Sequence, residues 1–216
     1  MDPKKSIGWI IRFHYEKDDK RFEWRLNYFI KEVLPRIQNQ TVQGFDICIR
    51  CNEWHKKIFK KLGLKTFTVK DEYVAYKHNG DKTQRYFYDF VTWDRIVGLK
   101  KYDIQLGLDS DDLVESNYLE KALEQIGRYD DGKKSIHICF QPQFLYIKDN
   151  TVKPFPKYSE VNGSAFMVLY QPNKENYRFI YEESHLSIIK KADKAIVIPS
   201  GYCYASCHPY NESTGK

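Results

Sequence analysis

Between Ser6 and Val69 the chain switches repeatedly between two hydrophobic periods, and that alternation limits its possible folds more than any other feature. SIGWIIRFHY opens with an apolar run of strand length that ends in polar residues. EKDDKR reads as a loop. FEWRLNYFIKEVL then places Phe22, Leu26, Phe29, Ile30 and Val33 on one helical stripe, with Pro35 expected to end or kink the helix. GFDICIRCNE reads as a second strand, WHKKIFKKLG as a second amphipathic helix with Gly63 as its C-cap, and LKTFTV as a third strand. Strands separated by helices pair in parallel through crossovers, so the expected class is α/β.

Further along, Asn79-Gly80 marks a turn. TQRYFYDFVTWDRIVGLKK reads as a helix with Tyr86, Phe90, Trp93 and Val97 on one side. DIQLGLD follows as a strand with alternating Ile104, Leu106 and Leu108, and SNYLEKALEQI as another helix. The second half is mixed. SIHICFQPQFLYIKDNTVKPF suggests a hairpin or extended pair, GSAFMVLYQ a strand, ESHLSIIKKA a helix and AIVIPSGYCYA a final strand. The expectation is one domain with a mainly parallel central sheet flanked by helices, and a smaller mixed β part in the C-terminal half.

Composition narrows the function. With 42% hydrophobic and 16% aromatic residues, the 216-residue chain can bury a substantial core, unlike a disordered segment. The net charge of +6 is spread through HKKIFKKLGLK, LKKYD and IIKKADK, which read as solvated helix faces rather than a nucleic-acid surface. A mild positive field still favours an anionic substrate. No apolar run reaches the length of a membrane span, the N-terminus is not a secretory signal, and an odd five cysteines imply a reducing, cytoplasmic setting. Cys48 and Cys51, with Cys203, Cys207 and His208, can be drawn as a zinc site. Strand alternation sends Cys48 and Cys51 to opposite faces, which argues against it.

The sharpest feature is LDSDD, which puts Asp109, Asp111 and Asp112 directly after a buried strand. Like charges this close repel, so the cluster needs a reason. An EF-hand fails, because Leu113 and Val114 occupy the fifth position and the glycine position. Asp112 or Ser116 capping the next helix is one remaining reading. A divalent-metal site is the other: carboxylates at a strand mouth can share a hard cation whose remaining ligands are substrate phosphates. Ligands in open α/β sheets lie beyond such strand ends. Metal-dependent phosphoryl or nucleotidyl transfer also uses strand-end carboxylates, but the chain has no glycine-rich phosphate loop.

LDSDD resembles the DxD signature of nucleotide-sugar glycosyltransferases with the GT-A fold. IYEESHLSIIKKADKAIVIPS is similar to the family 2 segment in which an acidic pair opens a helix, with Glu182-Glu183 where Glu-Asp is usual. YASCHPYNEST is similar to the terminal segment in which a histidine, here His208, completes the metal site. WRLNYFIKEVLPRIQNQTVQGFDICI resembles the Arg-x-x-x-Phe…Leu-Pro-Ser-x-x-x-Gln-Thr pattern of rhamnosyltransferases, with Arg36 in place of serine. The chain is also similar to the compact transferases with which chlorella viruses glycosylate their capsid protein.

The resemblance implies a GT-A-like (Rossmann-like) domain, with residues 1–112 as the nucleotide-binding half and 113–216 as the acceptor-binding half. It implies transfer of a sugar, rhamnose or glucose, from a nucleotide-diphosphate sugar such as a UDP-sugar to a glycan or glycoprotein, with Mn²⁺ or Mg²⁺. Asp111, assisted by Asp109 and His208, would hold the metal. Asp109 can instead contact the ribose or a metal-bound water, and Asp112 can orient the other acids or contact the sugar. Glu183, then Glu182, are the candidate bases, against a reading as ordinary first-turn acids. His185 either faces the site or packs. Arg12, at the end of the first strand, is a candidate phosphate contact or an exposed arginine of no consequence. Trp93 and Asp94 either line the base or ribose pocket or, for Trp93, pack in the core. Tyr158, Ser159 and Glu160 are candidates on the acceptor side or a surface loop.

Overall fold

Strand β1 (Ile7–Arg12) runs through the middle of the larger sheet and is buried on both faces. Trp9 and Ile11 join the main helix-covered core, while Ile10 joins a second cluster on the opposite face. That is why the strand reads as a continuous apolar run instead of an alternating one. Each of these isoleucines contributes roughly 1.5–3 kcal/mol by leaving water. The computed structural model describes residues 5–13, 20–70, 74–79, 82–87, 92–154, 166–181 and 193–208; for 20, 74–79 and 82–87 only the backbone is described.

After β1 come α1 (Lys20–Tyr28), a π-helical stretch (Phe29–Val33) and α2 (Leu34–Gln38) as one continuous rod. The helix does not end at Pro35. Proline lacks an N–H and its ring clashes with the carbonyl of the preceding turn. The widened π turn, in which Leu34 N–H bonds the Phe29 carbonyl, absorbs that conflict just before it. Next are β2 (Asp46–Arg50), α3 (Glu53–Lys61) and β3 (Lys65–Val69). Gly63, at φ 72°, ends α3 as expected: its N–H bonds the Lys60 carbonyl and that of Leu64 bonds Phe59.

The segment read as a helix from Thr83 onward is not one. β4 (Val74–Asn79) and β5 (Lys82–Phe87) form an antiparallel hairpin, followed by a single 3₁₀ turn (Trp93–Arg95) and β6 (Ile96–Val97). The Asn79-Gly80 turn signal, strand-forming Thr83, Tyr86 and Phe87, and Gly98 at φ 88° all work against a helix there. β7 (Ile104–Asp109), β8 (Leu113–Val114) and α4 (Tyr118–Tyr129) follow, then β9 (Ile136–Phe140), β10 (Gln143–Tyr146), β11 (Thr151–Pro154) and β12 (Met167–Tyr170). The expected single final strand is two, β13 (Lys194–Ile198) and β14 (Cys203–Cys207), in different sheets. Pro199, which cannot donate to a ladder, and Gly201 at φ 119° separate them.

The large sheet has the order β13-β9-β12-β7-β1-β2-β3-β6, and a small mixed sheet the order β11-β10-β14-β8. β7, β1, β2 and β3 are mutually parallel, while β12 runs antiparallel to its two neighbours. The chain steps from β1 outward to β3 and then returns to β7 on the other side of β1. The order therefore reverses between β1 and β7, the position at which open sheets leave a crevice.

Cys48 lies in one hydrophobic cluster and Cys51 in the other, as strand alternation requires. All five cysteines are buried and none of them forms a disulfide. Burial pushes Cys48 up to about 11 and Cys139 to about 12, and raises Cys203 and Cys207 as well. Thiolate is therefore scarce at pH 8, and a disulfide-exchange reagent should titrate the native protein at least tenfold more slowly than the unfolded chain. Gly8 lies under the Tyr102 ring, where an added Cβ would fall 2.6 Å from ring carbon. Gly8→Ala should lower stability by about 1–3 kcal/mol in urea unfolding, through overpacking.

Candidate active site

The crevice is built by strand register. Arg12 ends β1 directly opposite Asp109, which ends β7. Arg12 Nε donates to Asp109 Oδ1 at 2.7 Å, and the guanidinium also lies 4.7 Å from the centre of the Tyr181 ring. Tyr181 in turn donates to the Ile10 carbonyl at 3.2 Å and lies over Gly107, where a Cβ would meet its oxygen at 3.0 Å.

The acidic segment then bridges the two sheets, from β7 to the short strand β8. β8 pairs antiparallel with β14, with Tyr204 opposite Leu113. Continued past that pair, the register carries β14 outward as the other chain runs back toward the acids. Ser206 N–H accordingly donates to Asp112 Oδ1 at 3.1 Å, and His208 Nε2 lies 2.7 Å from Asp111 Oδ2. Helix α1 supplies the other wall. Arg25 forms an ion pair with Asp111 Oδ1, the Trp24 ring lies 4.3 Å from that of His208, and Tyr28 shares a 3.3 Å hydrogen bond with Ser206 Oγ.

Asp111, Asp112 and His208 are all buried. Asp112 has its carboxyl raised well above the ordinary value, first by burial and then by the charges of Asp111 and Asp109. It does not cap the following helix. The N-cap of α4 is Asn117, which makes no side-chain cap bond, and Gln40 Oε1 receives the Leu119 N–H at 3.0 Å instead. Gln40 also donates to the Arg36 and Glu115 carbonyls, tying α2 to the acid-bearing segment.

Of the expected metal ligands, Asp111 and His208 lie side by side, with Asp111 Oδ2 hydrogen-bonded to His208 Nε2 at 2.7 Å and Asp111 Oδ1 paired with Arg25; a carboxylate and an imidazole are both donors of a kind that a divalent cation accepts. The contact to Arg12 engages Asp109 instead. Among the described residues, no group of three metal-binding side chains is preassembled.

Of the other expected residues, Trp93 is half-buried with its edge on Tyr177, in the packing role. Asp94 is exposed, and a hydrogen bond from Thr92 lowers its carboxyl. It sits in the turn just before β6, which is the fourth strand from β7 in the sheet order. Glu182, Glu183, His185, Tyr158, Ser159 and Glu160 lie outside the described residues.

Trp24, Tyr28 and Tyr181 were not singled out by sequence reasoning, and Arg25 entered only as the arginine of the Arg-x-x-x-Phe pattern, without a role. Arg25 left a signal: it falls three residues after Phe22 and four before Phe29, on the buried stripe of its helix. A charge on such a stripe needs a partner.

A family model described as "Putative rhamnosyl transferase" matches residues 11–215. The chain belongs to that family. The family is one of glycosyltransferases. No curated protein matches the chain. Among solved structures, S. aureus TarS 1–349 in complex with UDP-GlcNAc superimposes with a TM-score of 0.58 at 13% identity, covering 98% of this chain and 61% of that one. The same segment in complex with UDP gives 0.56 at 15% identity, covering 94% and 61%. A further TarS structure gives 0.55 at 14%, covering 94% and 37%. At these identities the likeness establishes the fold, and this chain spans about 61% of the first of these chains.

Breaking the Arg25–Asp111 pair leaves a buried carboxylate without its counter-charge. Arg25→Met should cost about 3 kcal/mol in urea unfolding, and adding Asp111→Asn should recover a measurable part of that loss.

Proposed function

We propose that the chain transfers a sugar from a nucleotide-diphosphate donor to a glycan or glycoprotein acceptor, with Mn²⁺ or Mg²⁺ bound at Asp111 and His208. The observation that carries this reading is the convergence of Arg12, Arg25, Asp109, Asp111 and His208 at the switch point between β1 and β7. The family match and the UDP-bound TarS structures support the same reading. Mn²⁺ suits this pair better than Mg²⁺, because it accepts imidazole more readily.

Transfer breaks the bond from the anomeric carbon to the diphosphate, through a state with oxocarbenium character. A bound cation supplies charge to offset that developing on the leaving diphosphate. Arg12 and Arg25 add fixed positive charge beside it, already oriented by Asp109 and Asp111, so little reorganisation accompanies bond cleavage. Asp112 holds the Ser206 backbone, and through it the approach of β14 to His208. It is a positioning residue in this scheme. Glu183, with Glu182 as second choice, takes the proton from the acceptor hydroxyl. Rhamnose is the sugar suggested by the family description, with glucose the alternative.

A donor screen measuring nucleotide release across UDP-, GDP- and dTDP-sugars, with Mn²⁺, Mg²⁺ or EDTA, tests the proposal. Release should be confined to one nucleotide class and abolished by EDTA. Asp111→Ala should lower turnover about 10²–10³-fold with the fold intact by circular dichroism. Full activity in EDTA would overturn the metal role, and release from no donor would overturn the reading itself.

A further inference from the structure

Beside the face of α1 that carries Trp24 and Tyr28, the described residues line a cavity of about 530 Å³. It lies between α1, the adjoining π turn and the small sheet, and its size is ordinary for a small-molecule site. Two of its walls are aromatic. Trp24 and Tyr28, one helical turn apart, stack with ring centres 5.3 Å apart and planes within 7°. Around them the lining is polar in both senses: Asn27 and Asn150 carry amides, Glu32 accepts, and Lys31 and Arg36 donate.

This combination selects a class of ligand. A pyranose ring has an apolar face of C–H groups and a rim of hydroxyls that both donate and accept. The C–H face gains by leaving water against an aromatic plane, and the hydroxyls need partners of both kinds. A polyanion would call for a lining of one sign, but Glu32 stands in the same lining as Lys31 and Arg36.

The cavity is also joined to the acid cluster by its own walls. Trp24 touches His208, which contacts Asp111, and Tyr28 is bonded to Ser206, which is bonded to Asp112. We infer that the cavity is a carbohydrate subsite that holds a sugar ring of the acceptor against the Trp24–Tyr28 stack; its assignment to the acceptor rests on the transferase reading above. The stack then places the acceptor one side chain away from the residues that hold the diphosphate, and positions it independently of the donor.

The test is saturation-transfer NMR on the full chain, without donor or metal, using the methyl glycosides of glucose, rhamnose, xylose and galactose. At least one glycoside should receive saturation on its ring protons. Asn27→Trp, an exposed position filled with bulk, should reduce the signal at least fivefold, as should Tyr28→Ala, while Tyr28→Phe retains it. Absence of transfer to all four glycosides overturns the inference, as does transfer that survives Asn27→Trp or Tyr28→Ala in protein shown to be folded. If Tyr28→Ala does not fold, Asn27→Trp decides alone. Nucleotide release from the donor screen separates the two readings: glycoside binding without release leaves the carbohydrate site standing and removes the enzymatic one.

Discussion

The parallel register of β1 against β7 is the constraint on which the site depends. It ends with Arg12 opposite Asp109, so one cation and one carboxylate meet at the carboxyl edge of the sheet. The strand order reverses at this pair, the position at which open α/β sheets receive ligands. The other charged side chains of the site reach Asp111 from α1 and from the end of β14.

Concentrating carboxylates in a buried place is costly, and the structure offsets the cost locally. Asp109 is met by Arg12, and Asp111 by Arg25 and His208. Asp112 is met by a backbone N–H and by a raised proton affinity that follows from its burial. The three acids thus have three environments and are not interchangeable. One is fixed by a partly exposed arginine, one lies between a cation and an imidazole, and one holds a neighbouring strand. The Trp24–Tyr28 face of the same helix that delivers Arg25 then connects this charged edge to the cavity beside the small sheet.

Much of this is legible in the chain itself. Apolar runs of strand length, continuous in β1 and alternating in β7, located β1, β2, β3 and β7, since a strand buried in a sheet has few other ways to write itself. Gly63 marked a helix end because a left-handed residue is needed there. The misreadings have physical causes too. Tyr86, Phe90, Trp93 and Val97 recur at helical spacing, but the adjacent Val74–Asn79 strand offered a hairpin partner, and pairing overrode the apparent period. Pro35 is a helix breaker only where the helix cannot widen, and the π turn before it provides that room. Arg25 was hidden because its meaning is set by Asp111, which lies 86 residues away in the chain.

What the sequence alone determined, then, was the local grammar: which runs are strands, which faces are apolar, and that three aspartates follow a buried strand. Those properties depend on neighbours within a turn or two, so they survive without a fold. The tertiary structure alone decided which charges face each other. Arg12 with Asp109, Arg25 and His208 with Asp111, and Ser206 with Asp112 join segments that come together only when β7 docks beside β1 and β14 pairs with β8. Register and crossover set those distances, and neither is written in any one segment.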